Sequence, residues 1–333
     1  MDGGRGVTAL LLVVLALVLA AEFVNGWHDA SNAIATVVST RVLSPRVAVL
    51  MATVFNAVGA FSGTAVAATV GKGIVDPNAI SLVTVAAAMV AIVVWEVFTW
   101  YYGLPTSASH ALVAGLSGAG LAAGGTSVLV WEGWRKVLIG LLFSTFLGFL
   151  AGLFLIWAIL SLCRNWSPGR VRKVFGRAQI FSAVFMAFSH GSNDGQKFIG
   201  VFTLALVLGG VIPEFHPSFG VVLLCSITMG LGTSVGGWRI IRTMGMRIAR
   251  LEPYHGFAAE TAAGTCIELA SRLGIPLSTT HTINTAIMGV GASRRLSAVR
   301  WGVVGDVVTA WVLTFPVCGA IGWLVARALD WLG

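Results

Sequence analysis

The sequence predicts an all-α polytopic membrane protein: two inverted-topology repeats of about five crossings each, with broken or re-entrant helices at the midplane. Three observations predict this. The 333 residues are 57% hydrophobic with a mean hydropathy of +0.89, and only 10% are charged, against about 25% in an ordinary soluble domain. Apolar stretches recur along the whole chain. Short polar motifs interrupt them twice, in the same order.

Residues 7–24, 47–70, 79–102, 137–162, 217–235 and 303–329 form apolar runs. Each reaches or approaches the roughly 20 residues that cross a hydrocarbon core. The first run is longer than a signal-peptide core and no small-x-small cleavage site follows it, so it is expected to be retained as a helix. Cys163, Cys225, Cys266 and Cys318 are scattered without Cys-x-x-Cys spacing. That pattern suggests neither zinc nor a disulfide framework, and the cysteines read as small packing residues. The net charge of +8 gathers in short loops, as membrane orientation requires, which argues against nucleic acid and leaves lipid as the surrounding partner.

Phe23, Gly26 and Asp29 recur as Phe188, Gly191 and Asp194 at a constant offset of 165 residues (188 minus 23, 191 minus 26, 194 minus 29). At the same offset Asn32 is answered by Lys197. A second pair, "PTSASH" at 105–110 and "PLSTTH" at 276–281, follows at an offset of 171 (276 minus 105). Two motifs in one order at nearly one spacing predict a first repeat over 1–163, a cytoplasmic linker over 164–178 and a second repeat over 179–333. The loop with Arg41 and Arg46 corresponds to a stretch without basic residues near 206–211, and the non-basic segment after Gly73 corresponds to Arg239, Arg242, Arg247 and Arg250. Basic loops matched to non-basic ones imply an odd number of crossings per repeat and a flipped second copy. The chain is expected in the cytoplasmic membrane, with both termini outside.

The two Asp motifs lie in segments too long for one straight membrane helix, and their glycines and short polar residues predict local unwinding there. In each Pro-x-Ser-x-x-His motif, proline followed by Ser or Thr reads as a helix start, with the proline in the first turn. Such a start aims backbone N–H groups and a positive dipole end at its front, where an anion fits. Irregular backbone at membrane depth belongs where it lines a cavity. Four polar breaks meeting near the midplane are the layout of a secondary transporter with its site between the repeats.

"GWHDASN", "GSNDGQK", "PTSASH" and "PLSTTH", together with "ARLEPYHGFAAETAA" and "GGWRIIRTMG", resemble the PiT family of inorganic phosphate transporters, its bacterial low-affinity branch in particular. The resemblance covers nearly the whole chain. It implies phosphate uptake driven by protons or sodium, and a homodimer. Carried over motif by motif, it implies a central site of Asp29, Asn32, Asp194 and Lys197, with Ser107, Ser109, His110, Ser278, Thr279, Thr280 and His281 supplying donors. Sodium-coupled members usually carry asparagine where this chain has Lys197, so Lys197 is expected to take the place of one sodium ion.

The chemistry follows from the substrate. Monohydrogen phosphate offers acceptor oxygens to hydroxyls and helix-start N–H groups, and one O–H donor. Lys197 supplies a compact positive charge. An aspartate beside an anion is repulsive unless the phosphate O–H donates to it, a cation bridges the two, or it is protonated. Fully ionised sulfate has no proton to donate, so a charged aspartate would reject it. Asp29, Asn32 and Asp194 are the candidate cation ligands. His28, His110, Gln179, His190, Asn193 and His281 read as coupling or supporting residues. Glu22, Glu96, Glu268 and Asp306 also lie in apolar segments and are open to proton relay, cation binding or a structural role. No cofactor is expected beyond the coupling ion, with a divalent metal travelling with phosphate as an open alternative. The competing readings are a sulfate permease of the same fold and an intramembrane enzyme using the two aspartates. Nothing resembling an activated nucleophile or catalytic metal set accompanies those aspartates.

Overall fold

Residues 8–332 are described here by a computed structural model, and they are helical almost throughout. The helices are α1 (Ala9–Ser39), α2 (Pro45–Ala60), α3 (Ala65–Gly73), α4 (Leu82–Tyr102), α5 (Ala108–Gly124), α6 (Trp131–Leu162), α7 (Pro168–Leu208), α8 (Phe219–Val235), α9 (Trp238–Arg242), α10 (Pro253–Arg272), α11 (Thr279–Ala292) and α12 (Trp301–Leu332). Among the described residues the extended pairing amounts to one isolated bridge, Val75 with Leu129.

Among the described residues five helices are long and apolar enough to cross a membrane, and counting each of two bent pairs as one span raises the number to seven. The pairs are α2 with α3, bent by 71°, and α8 with the segment from Trp238 to Arg247, bent by 60°. At 41 residues α7 is long enough to span, and only its polar residues keep it out of that count. Apolar side chains stand exposed along α6 (Leu142, Phe143, Phe146, Leu150, Phe154) and α12 (Val312, Leu313, Leu324). In a membrane protein such faces are solvated by lipid rather than water. The chain is a multi-pass, all-helical membrane protein with bent helix pairs.

The breaks are not where the Asp motifs suggested. α1 and α7 run unbroken through Asp29 and Asp194. The glycines there serve close packing instead of unwinding. A Cβ on Gly26 would overlap the Met229 carbonyl of α8, and one on Gly191 would overlap the Asn56 carbonyl of α2. Small residues that let helix backbones touch are the usual device of membrane interfaces. An opened helix would also strand backbone groups that lipid cannot satisfy. Gly191→Ala is therefore expected to destabilise the protein by about 1–3 kcal/mol through overpacking. Gly176→Ala, on the same helix but facing open space, is expected to be neutral or slightly stabilising, since alanine is the better helix former. Thermal unfolding of the two purified variants separates them.

The packing crosses the sequence halves. α1 lies on α8 while α7 lies on α2, and α12 packs on α4 and α5 while α6 packs on α10 and α11. α1 and α7 are antiparallel neighbours: Leu11 near the start of α1 touches Gly209 at the end of α7, and Thr40 at the end of α1 donates to Gln179 near the start of α7 at 2.9 Å. α7 also begins eleven residues earlier than the second repeat read from the sequence (179 minus 168), with Ser167 as its N-cap and Pro168 in its first turn.

The Pro-x-Ser-x-x-His motifs are helix starts, as expected. The prolines, however, lie two residues before the cap, outside the first turn. Ser107 accepts the backbone N–H of His110 at 3.3 Å and Ser278 that of His281 at 3.2 Å, so serine takes the N-cap position and proline stays in the extended approach.

Candidate functional site

α5 and α11 start head to head. The Ser109 hydroxyl of α5 donates to the Leu277 carbonyl, just before α11, at 3.0 Å. The backbone N–H groups of Ala108, Ser109, Thr279 and Thr280, in the first turns, have no intrahelical partner. Two helix starts thus converge with both positive dipole ends facing one region.

Lys197 of α7 fills the junction. Its Nζ donates to Ser109 Oγ, to Asp194 Oδ1 and, at 3.0 Å, to the Leu277 carbonyl. All three ammonium protons are used, on a hydroxyl, a carboxylate and a backbone carbonyl. That donor set, all oxygen, is what a small hard cation would demand in the same place.

The two aspartates hang from α1 and α7 with unequal surroundings. Asp194 Oδ2 accepts from Thr279 Oγ1 at 2.9 Å and lies 3.2 Å from His190 Nε2, while its Oδ1 is taken by Lys197. Asp29 Oδ1 lies 2.7 Å from His28 Nδ1. Its Oδ2 has only a long contact from Thr280 Oγ1 at 3.4 Å and His190 Nε2 at 4.0 Å. Asn32 donates to Thr280 Oγ1 at 2.9 Å and to Thr279 Oγ1 at 3.4 Å, and its Oδ1 is unpartnered. Asp29, Asn32, Asp194, Lys197, Ser107, Ser278, Thr279 and Thr280 are each at most 1% exposed, and Ser109 is 3% exposed. The structure is closed over them.

His190 stands between the aspartates, nearer than its expected supporting place. Asn56 of α2 fixes its tautomer. Asn56 Nδ2 donates to Thr233 Oγ1 at 3.1 Å, which itself donates to the Met229 carbonyl at 3.0 Å. Asn56 therefore turns its carbonyl to His190 Nδ1 at 3.1 Å, and Nδ1 carries hydrogen. Nε2 then faces two carboxylates, an arrangement that holds only with a proton among the three groups. Asp29, His190 and Asp194 also bring ligand atoms within 4.8 Å of one another. His190 thus joins the two candidate aspartates, and the third candidate, Asn32, keeps a buried unpartnered amide oxygen.

The other expected residues scatter. His28 reaches Thr99 at 3.1 Å and Thr106 at 3.3 Å through Nε2, tying Asp29 to α4 and to the approach to α5. The His110 and His281 rings pack edge to face at 4.7 Å, and His281 stacks on Trp311 at 3.7 Å, so they brace the two helix starts. Asn193 points away and holds Ser271 Oγ at 3.0 Å and the Ile275 carbonyl at 3.2 Å. Gln179 is not at this site. It lies fifteen residues before Asp194 (194 minus 179), roughly 22 Å along the helix, and donates to Glu260 Oε1 at 3.0 Å. The buried Glu260 also accepts from Thr36 at 2.5 Å and from Ser182. This knot joins α1, α7 and α10, and sequence reasoning missed it, as it missed Asn56, Thr99 and Thr106. Asn56 left a signal, a lone amide in an apolar helix; the hydroxyls left none.

Residues 25–322 match the family described as the Phosphate transporter family. The chain is 44% identical over 323 residues to a "Probable low-affinity inorganic phosphate transporter" of Rhizobium meliloti (strain 1021), covering 96% of this chain and 97% of that one. It is 39% identical to a protein so described in Bacillus subtilis (strain 168), covering 94% and 95%. Among solved structures, "The sodium-dependent phosphate transporter" superposes with a TM-score of 0.90 at 26% identity, covering 98% of this chain and all of that one.

Proposed function

The chain belongs to the phosphate transporter family, and on that premise we propose that it imports inorganic phosphate across the cytoplasmic membrane, coupled to protons, by alternating access around the cluster of Asp29, Asp194 and Lys197. The observation that carries the reading is the pair of opposed helix starts meeting on Lys197. Unpaired N–H groups, hydroxyls and an ammonium together recognise an oxyanion. In this reading Thr279, Thr280, Ser109 and the N–H groups beside them bind the phosphate oxygens, while Ser107 and Ser278 hold the helix starts in shape.

Protons are favoured over sodium because Lys197 already sits among three oxygens that would otherwise take a cation. The inverted repeat is supported by the antiparallel course of α1 and α7 and by the mirrored packing of α1 on α8 and α7 on α2. Such a repeat gives the two halves equal and opposite routes to the site. We place both termini outside, following the basic loops. The resemblance also implies a homodimer, which light scattering of the detergent-purified protein tests.

Labelled phosphate uptake into proteoliposomes, under an inward proton gradient and separately under a sodium gradient, tests the main reading. Proton-driven uptake that excess sulfate does not inhibit is expected. Uptake that needs sodium would refute the role given to Lys197, and uptake blocked by sulfate would make the protein a general oxyanion permease.

A further inference from the structure

Glu22 on α1 and Glu96 on α4 are fully buried, and none of their four carboxylate oxygens has a hydrogen-bond partner. Asn25, one turn on from Glu22, faces that carboxyl. It is also fully buried, with neither amide atom in bonding geometry. α1 and α4 pack together, held by His28 on Thr99 and by Trp27 against Trp100 at 4.3 Å. Glu96 lies one turn before Thr99, near enough for Glu22 to act on its charge. The buried ion pairs among the described residues involve only His28, Asp29, His190, Asp194 and Lys197; neither glutamate is paired, and Lys197, whose charge reaches both, is bonded to Asp194, Ser109 and the Leu277 carbonyl instead.

The second half does not repeat this pair. At the 165-residue offset Glu22 aligns with Ala187 and Asn25 with His190, while Asn32 aligns with Lys197; at the 171-residue offset Glu96 aligns with Ile267. Where the second half carries its own cations, the first half carries unpaired carboxyls. A buried carboxylate without a partner is too costly to persist, so each needs a bound cation or a proton to complete it. A metal ion needs several converging ligands. Among the described His, Cys, Asp and Glu residues only Asp29, His190 and Asp194 converge in a group of three. A proton needs one oxygen.

We propose that Glu22 and Glu96 are the proton carriers of the transport cycle. Each carboxylate takes up one proton while the site faces outside and releases it to the cytoplasm when the site faces inside; phosphate passes unchanged. Asn25 can donate to the Glu22 carboxylate or accept from its acid form. The charged and titratable groups facing the pair are Asp29 on α1, Asp194 and Lys197 on α7, Cys225 on α8 and Cys318 on α12. This inference rests on the reading of the chain as a proton-coupled phosphate transporter.

The test uses Glu22→Gln, Glu96→Gln and the double variant in proteoliposomes with the membrane potential clamped. A pH difference of about one unit supports about tenfold accumulation per coupled proton. Each single variant is expected to lower steady-state accumulation about tenfold, and the double variant about a hundredfold. Unchanged accumulation in the double variant would overturn the proposal. Because misfolding would also lower uptake, infrared difference spectra between high and low pH supply a second readout. A protonated-carboxyl band that titrates in the wild type and disappears in the double variant supports the assignment. A wild-type spectrum in which that band stays constant overturns it. Phosphate exchange by wild-type vesicles with no pH gradient is measured alongside; its absence would sink the transporter reading itself, a failure separate from that of the glutamate pair.

Discussion

Replacing Lys197 by methionine is expected to abolish phosphate uptake, whereas replacing it by asparagine is expected to restore uptake that depends on sodium. The ammonium bonds Ser109 Oγ, Asp194 Oδ1 and the Leu277 carbonyl at once, with 1% of its side chain exposed. Methionine keeps the length and removes the charge, leaving a buried carboxylate and a carbonyl without their donor. Breaking one side of a buried ion pair costs about 3–5 kcal/mol, which corresponds to a loss of more than about a hundredfold. Asparagine removes the same charge but adds an amide oxygen beside a carboxylate, a hydroxyl and a carbonyl. Four oxygens around a desolvated negative charge recruit a monovalent cation from solution. Initial uptake rates of both variants, with and without a sodium gradient, decide the matter. A methionine variant that keeps half of the wild-type rate would show that Lys197 is a mere structural prop. An asparagine variant indifferent to sodium would show that the site does not accept an ion in its place.

Much of this arrangement is legible in the sequence. The constant offsets of the Asp and Pro-x-Ser-x-x-His motifs marked equivalent positions, and those positions do meet: Asn32 reaches Thr279 and Thr280, and Lys197 reaches Ser109. Capping chemistry placed the starts of α5 and α11, because Ser107 and Ser278 act locally on an N–H three residues away. Equivalence is not contact, however. Nothing in the spacing says that α6 packs with the second half and α12 with the first, since which helix covers which groove is settled by side chains far apart in sequence. Glycine misled for a related reason: it permits both unwinding and close approach, and only the neighbour, α8 at Gly26 or α2 at Gly191, tells which. Gln179 precedes Asp194 on the same helix, but a helix carries its residues steadily away along its axis, so nearness along α7 is not nearness to the site.

The last expectation separates the two aspartates, which the sequence could only treat as a pair. Both oxygens of Asp194 are engaged by Lys197, Thr279 and His190, whereas Oδ2 of Asp29 has only Thr280 at 3.4 Å and His190 at 4.0 Å. The free acceptor for a phosphate O–H is therefore on Asp29. Asp29→Asn puts an N–H in reach of that O–H and removes the charge that repels a proton-free anion. Its preference for phosphate over sulfate is expected to fall by about 1.5–3 kcal/mol, the worth of a hydrogen bond to a charged group, or about ten- to a hundredfold. Asp194→Asn instead strands Lys197 and is expected to lose uptake of both anions without gaining sulfate. Sulfate competition against labelled phosphate in the two variants reads this difference directly. Equal loss of selectivity in both would mean that the carboxylates act as one unit sharing the His190 proton, and the filter would then belong to the triad. An Asp29→Asn variant that stayed selective would refute this filter outright, because of the four oxygens on the two aspartates only Oδ2 of Asp29 is weakly occupied.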